Sequence, residues 1–214
     1  MTITLNGTTG VTTPAISGDG SALTTLTSAN LTGALPAIDG SALTGVGGGG
    51  TEFIASSGAI SNGTAAVVFT SSNFDASKYD NYIFYIMYCS PVTDAQKLLA
   101  QESDDGGSSF YDGGSDYVLW NSAGSGAYAA GHQVSGNSAV GNGANEVVSS
   151  EFLLISPQTS AKTMGFSSSI ALNTYSANGS KHENDVGVTN GIKFLWTSGN
   201  IKGGEISMYG IVNA

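Results

Sequence analysis

Two histidines, one cysteine, sixteen acidic side chains and many serines are the groups in this chain that could do chemistry. His132 and His182 each stand in a polar stretch with loop character, and both read as solvated loop residues. Cys89 closes the apolar run from Tyr82, where a buried, inert thiol is expected. A single cysteine allows no internal disulfide. The sequence has no G-x-S-x-G elbow, no H-E-x-x-H pair, no phosphate loop and no G-x-G-x-x-G opening a helix after a strand. Ser, His and Asp are present, but no spacing marks a triad. No separation between two carboxylates is fixed either, so glycoside hydrolysis has no identifiable acid and base. The reading is therefore non-enzymatic, with no cofactor.

The acidic run Asp104-Asp-Gly-Gly-Ser-Ser-Phe-Tyr-Asp-Gly-Gly-Ser-Asp116 has two readings. Clustered Asp with Gly can form an oxygen-rich calcium loop, but the spacing departs from the EF-hand pattern. Asp followed by two glycines is also good turn chemistry, and plain β-turns are the preferred reading. A binding site is better sought among aromatics near loops. Tyr111, Tyr117, Trp120 and Tyr128 flank or enter the Gly/Ala/Ser/Asn-rich segment Asn121–Asn145. A sugar site combines flat apolar rings with amides and carboxylates for the hydroxyls. On that chemistry Tyr111, Asp112, Tyr128, His132 and Asn137 are the candidate glycan or receptor contacts. Tyr117 and Trp120 are read as strand core, as is Trp196, which shares one face with Ile192 and Phe194.

The elements that must position these residues are short strands. Candidates are Glu52–Ile60, Ala65–Thr70, Tyr79–Cys89, Gln96–Ser103, Asp116–Trp120, Val147–Ser156, Thr163–Leu172, Ile192–Thr197 and Glu205–Val212, separated by Gly, Asn, Ser and Asp. Ser61-Asn62-Gly63 between the first two predicts a hairpin. Tyr79–Cys89 is apolar on both faces, which suits a central strand or a subunit contact. Only Asp94–Glu102 competes as a helix, at marginal length. This pattern predicts an all-β sandwich or jelly roll for residues 51–214.

Composition narrows the partners. Charged residues are 10% of the 214, against about 25% in ordinary domains. The net charge is −10, and all six basic residues are lysines scattered along the chain. Nucleic acid needs a basic footprint, so it is excluded as a partner. The longest apolar run falls far short of the ~20 residues of a spanning helix, so no membrane insertion is expected. The N-terminus lacks the basic and apolar regions of a secretory signal, which predicts synthesis in a cytosol and release by another route.

The grammar changes near residue 50. Residues 1–50 contain no aromatic side chain and only two charges, Asp19 and Asp39. Asp19-Gly-Ser-Ala-Leu-Thr24 recurs identically as Asp39-Gly-Ser-Ala-Leu-Thr44. Two such repeats cannot bury a core alone and need neighbours, which other copies of the chain can supply. This predicts a repeat stem over 1–46, a Gly47–Gly50 linker and a head over 51–214, with association in trans; the alternative for the first region is a low-complexity Gly/Ser/Thr linker.

Ile3-Thr-Leu-Asn-Gly-Thr-Thr-Gly-Val, Ile16-Ser-Gly-Asp-Gly-Ser-Ala-Leu-Thr and Ala29-Asn-Leu-Thr-Gly-Ala-Leu-Pro36 resemble the N-terminal stems of bacteriophage tail-fibre and other virion fibre proteins. Tyr79-Asp-Asn-Tyr-Ile-Phe, Ser103-Asp-Asp-Gly-Gly-Ser-Ser-Phe and Ser198-Gly-Asn-Ile-Lys-Gly-Gly-Glu-Ile-Ser-Met-Tyr-Gly-Ile211 resemble the C-terminal domains of fibre-type proteins from tailed phages, notably marine ones. The resemblance implies a parallel homotrimer on a virion. Its stem attaches to other virion structural proteins, and its β-sandwich heads face the host or decorate the particle. The short chain fits a short tail fibre or a capsid fibre better than a long one. A stand-alone lectin-like module is the alternative, and a polysaccharide-degrading enzyme a lesser one.

Overall fold

The computed structural model describes residues 50–120, 126–136, 139–158, 162–171, 174–183 and 187–212. The chain divides into two units, Met1–Val46 and Gly47–Ala214, and all described residues belong to the second. The stem and the first three linker glycines, like Asn137, lie outside the described residues.

The unit is all-β. Its strands are β1 (Thr51–Ser56), β2 (Val67–Phe69), β3 (Tyr79–Pro91), β4 (Leu98–Ser103), β5 (Tyr117–Trp120) and β6 (Ala127–Ala129). They continue with β7 (His132–Gln133), β8 (Val148–Ile155), β9 (Met164–Ala171), β10 (Thr174–His182), β11 (Gly191–Trp196) and β12 (Ile201–Val212). One antiparallel sheet has the order β1-β12-β3-β8-β9-β10-β5-β6 and the other β2-β11-β4-β7. Together they form a β-sandwich. Every strand expected from sequence is present, and β4 occupies the stretch where a helix competed. β6, β7 and β10 are additional.

The organising feature is nested pairing: β1 with β12, β2 with β11, β3 with β8 and β4 with β7. The chain passes from one sheet to the other at each of these steps, and the crossings are themselves paired. The Ile60 N–H donates to the Gly204 carbonyl (2.8 Å), and the Gly63 N–H to that of Ile201 (2.9 Å). Farther along, Gln96 and Val140 exchange backbone hydrogen bonds of 2.9 and 2.7 Å. The two hairpins β5–β6 and β9–β10 are insertions that widen the large sheet.

This arrangement overturns the predicted hairpin at Asn62-Gly63. The turn forms, with Gly63 at φ 91° and the Thr64 N–H donating to the Ser61 carbonyl. Its arms separate, however. β1 pairs with β12 in one sheet and β2 with β11 in the other. The turn carries the chain across the sandwich, because the partners that bury most apolar surface come from the other end of the unit.

The core lies between the sheets. Tyr82, Phe84 and Ile86 of β3 point inward with Phe152 and Leu154 of β8, against Phe194 and Trp196 of β11 and Leu98 and Ala100 of β4. Phe84 is its centre, with ring centroids 5.6 Å from Phe69, 6.1 Å from Phe152 and 5.1 Å from Phe194. Trp196 is buried, as expected, and so is Cys89, whose thiol burial pushes up to about 12. Beside it, Gly204 takes φ 122°, and a Cβ there would come within 2.5 Å of the Cys89 sulfur. Phe84→Ala is expected to destabilise the unit by about 3–5 kcal/mol, read as a lower urea midpoint. An unchanged midpoint would contradict this account of the core.

Candidate functional site

The richest chemistry in the fold is a polar cluster inside the sandwich, and it gathers both histidines. His132, on β7, is fully buried. Its Nδ1 lies 2.6 Å from Ser180 Oγ of β10, and its Nε2 lies 2.6 Å from Glu102 Oε1 of β4. Thr189 donates its hydroxyl to the other Glu102 oxygen, and His182 Nδ1 stands 3.9 Å from that same oxygen. Tyr117 completes the enclosure. Its hydroxyl accepts the Glu102 N–H at 2.8 Å, its ring stacks on His182 at 4.8 Å, and it meets His132 edge-on at 4.7 Å. Both histidines are thus core residues and not the solvated loop residues expected from their polar neighbours. His132 accordingly leaves the set of candidate glycan contacts.

Local sequence explains why the cluster fits. Gly165 of β9 faces it, and a Cβ there would sit 2.7 Å from His132 Nδ1 and 2.9 Å from Ser180 Oγ. Glycine therefore opens the space the imidazole fills. The Ser180 hydroxyl also lies 3.3 Å from the Gly165 carbonyl.

Burial pushes the Glu102 carboxyl up. The His132 hydrogen bond and charge, the His182 charge and the Thr189 hydroxyl outweigh it and hold the carboxyl below its ordinary value. Ser180, His132 and Glu102 form a chain of contacts like that of a hydrolase, but all three are buried. An acyl or glycosyl group cannot reach Ser180 Oγ without opening the sandwich.

The acidic loop is a set of turns. The Asp105 carboxylate accepts from the Ser103 hydroxyl (2.7 Å), the Ser108 and Ser109 N–H groups (3.0 and 2.9 Å) and the Ser109 hydroxyl (2.6 Å). The Ser109 hydroxyl and N–H lead the donors that hold this carboxyl far below its usual range. Asp116 likewise accepts the Gly113 N–H at 2.7 Å. These carboxylates are engaged by donors of their own loop. Among the described residues, no group of three or more His, Cys, Asp or Glu is disposed to hold a metal ion.

The remaining candidates separate. Tyr111 is half-buried, with its ring 4.6 Å from that of His182. Burial and the neighbouring Asp104 raise its hydroxyl to about 12. Asp112 is exposed on the adjacent loop. Tyr128, on β6, is 70% exposed. Tyr117 is core, but Trp120 is not; it is 41% exposed on the outer face of the large sheet, with Lys181 Nζ 5.7 Å from its ring. Period-two alternation could have separated these two, since Tyr117 and Leu119 share one face of β5 while Val118 and Trp120 share the other. Trp120 and Tyr128 thus stand on the outer face at the β5–β6 edge, away from Tyr111 and Asp112.

That outer face is unusually apolar. One continuous row of strand partners runs Phe53, Tyr209, Ile83, Leu153, Phe166, Gly179 and Trp120 across β1, β12, β3, β8, β9, β10 and β5. Below it, Tyr85, Met87, Glu151, Ser168, Ile170 and Tyr175 line a shallow concavity of about 350 Å³.

The Glu102 cluster predicts acid sensitivity. Because the folded carboxyl titrates below its ordinary value, its stabilisation is complete above about pH 4.5 and is lost as pH falls through the lower folded value. Glu102→Gln is expected to lower stability near neutral pH by about 1–3 kcal/mol, since it removes the buried carboxylate that bonds to His132 and Thr189. It should also flatten the fall in thermal midpoint between pH 5 and pH 3. Parallel midpoint-against-pH curves for the two proteins would refute this role.

Comparison of the chain with known protein families, curated proteins and solved structures gives no match.

Proposed function

We propose that this chain is a structural fibre protein of a virion, with residues 1–46 attaching and trimerising and residues 51–214 forming a jelly-roll head that adheres to a host-surface glycan. The observation that carries the reading is the nested pairing. With the two inserted hairpins set aside, the strands reduce to β1-β12-β3-β8 facing β2-β11-β4-β7. This is the order of a double-sheet jelly roll, an architecture used by viral capsid domains and lectins. Fold alone does not assign function. The sequence resemblance and the duplicated Asp-Gly-Ser-Ala-Leu-Thr segment supply the rest of the argument.

The glycan contact is placed at the β5–β6 edge. Tyr128 and Trp120 offer exposed aromatic faces there, beside Lys181, whose ammonium is ion-paired with Glu183 at 2.7 Å. Tyr128 is retained from the sequence reading and Trp120 joins it. Tyr111 and Asp112 belong to a different loop and form no part of this contact.

The alternative is a stand-alone lectin-like module, supported by the same jelly-roll order and the same aromatic edge. Light scattering of the full chain separates the two. The fibre reading expects a mass near three times 21.5 kDa, and the lectin reading expects a single chain. On a glycan array or host cells, Trp120→Ala and Tyr128→Ala should each weaken binding by about 1–3 kcal/mol, the scale of a lost aromatic anchor. Binding unchanged in both variants would remove this edge as the contact.

A further inference from the structure

The outer face of the large sheet exposes more apolar surface than a free head explains. Phe53, Tyr85, Met87, Met164, Phe166, Ile170 and Tyr175 lie on it, with Ile170 60% and Tyr175 66% exposed. Taking about 200 Å² for a large side chain, their exposed parts total on the order of 700 Å². The largest apolar patch of an ordinary monomer is about 300–600 Å², and one side of a stable protein interface is about 800 Å².

We infer that this face is the seam on which a second copy of the same chain docks, the aromatic edge at Trp120 and Tyr128 staying open. The inference rests on the homotrimer reading and adds the surface that reading leaves unassigned.

Three observations select a second copy as the occupant. The first is charge. The chain carries a net −10, so two copies repel unless they meet through a nearly uncharged surface. The central row of the face, from Phe53 to Gly179, holds no charged residue, and Glu151 is the one carboxylate lining the concavity below it. The second is where the chain enters. The 49 residues before Gly50 join the head at β1, the edge strand of this same sheet, where the Gly50 carbonyl accepts the Val212 N–H. Copies joined through their stems would thus be tethered at this sheet, at high effective concentration. The third is shape. Phe53, Tyr209 and Tyr85 pack edge to face along the sheet surface, at 5.5 and 5.4 Å between ring centroids. They lead toward the concavity beside Ile170 and Tyr175, which a side chain of a partner can fill.

The test uses the full chain. Light scattering gives its mass, and carbene footprinting read by mass spectrometry compares Ile170 and Tyr175 with Tyr128, which is equally open in the single chain. The expected result is a multimer in which Ile170 and Tyr175 label several-fold less than Tyr128. In the outward-facing double variant Phe166→Lys/Ile170→Lys, Tyr175 should then label as fully as Tyr128. A multimer whose Ile170 and Tyr175 label as fully as Tyr128 overturns the seam and leaves the homotrimer reading standing. A monomer with an open face overturns both. A monomer with a protected face assigns the face to residues 1–49 of its own chain and overturns the inference. Protection that appears only when host polysaccharide is added assigns the face to glycan and does the same.

Discussion

The antiparallel ladder between β12 and its neighbours β1 and β3 is the constraint on which the remainder of the fold depends. It joins the first strand of the head to the last, and so fixes where every later pair must lie. Once β1 and β12 are side by side, the chain between them can only fold back on itself. β2 then meets β11, β3 meets β8 and β4 meets β7. Such contacts are distant in sequence and carry a large loop-closure cost before any apolar burial offsets it. The paired crossings reduce that problem. Because the connections at Ile60–Thr64 and Ile201–Gly204 hydrogen-bond to each other, two sheets close in one step.

The interior that results is divided by chemistry. Toward β12, β3 and β11 it is aromatic and aliphatic, centred on Phe84 and Phe194. Toward β7, β9 and β10 it is hydroxylic. Ser150 and Ser167 donate to the carbonyls of Val134 and Gln133 across the sandwich, and Ser180 meets His132. A short two-residue strand such as β7 cannot hold its place by ladder bonds alone. The Glu102–His132 pair pins it from within, because displacing it would leave a buried carboxylate uncompensated. The histidine that looked like a surface ligand therefore acts as a positioning device for the narrow sheet.

Much of this architecture was legible in the residues, and the failures have specific causes. Nine strands and the all-β class followed from β-branched and aromatic runs between turn residues. β10, Thr-Tyr-Ser-Ala-Asn-Gly-Ser-Lys-His, carries almost none of that signal, since the residues it buries, Asn178, Ser180 and His182, are themselves polar. Both histidines depart from their expected place for the same reason: a polar neighbourhood in sequence fits solvent and the polar half of a core alike, and here it is the core. The hairpin at Asn62-Gly63 failed differently. Turn chemistry was read correctly, but a turn specifies only its own geometry, and tertiary pairing decided which strands its arms joined. Of the candidate site, Tyr128 could be found from sequence. Trp120 required the alternation of β5 to be followed residue by residue.

Taken together, the two halves of the sandwich invert the usual placement of chemistry. Groups with catalytic potential, His132, Glu102 and Ser180, are buried inside and hydrogen-bond to one another. Large apolar groups are displayed outside, on a wide sheet whose central row carries no charge. Monomeric soluble proteins rarely expose contiguous apolar patches of this size. Here Glu151 stands beside the concavity, while Glu102 is internal and Asp105 is tied into its own loop. A chain under selection only to be soluble would place a few of its sixteen acids along the row from Phe53 to Gly179. Their absence there, in a protein of net charge −10, is the physical basis for proposing that a second copy covers the face.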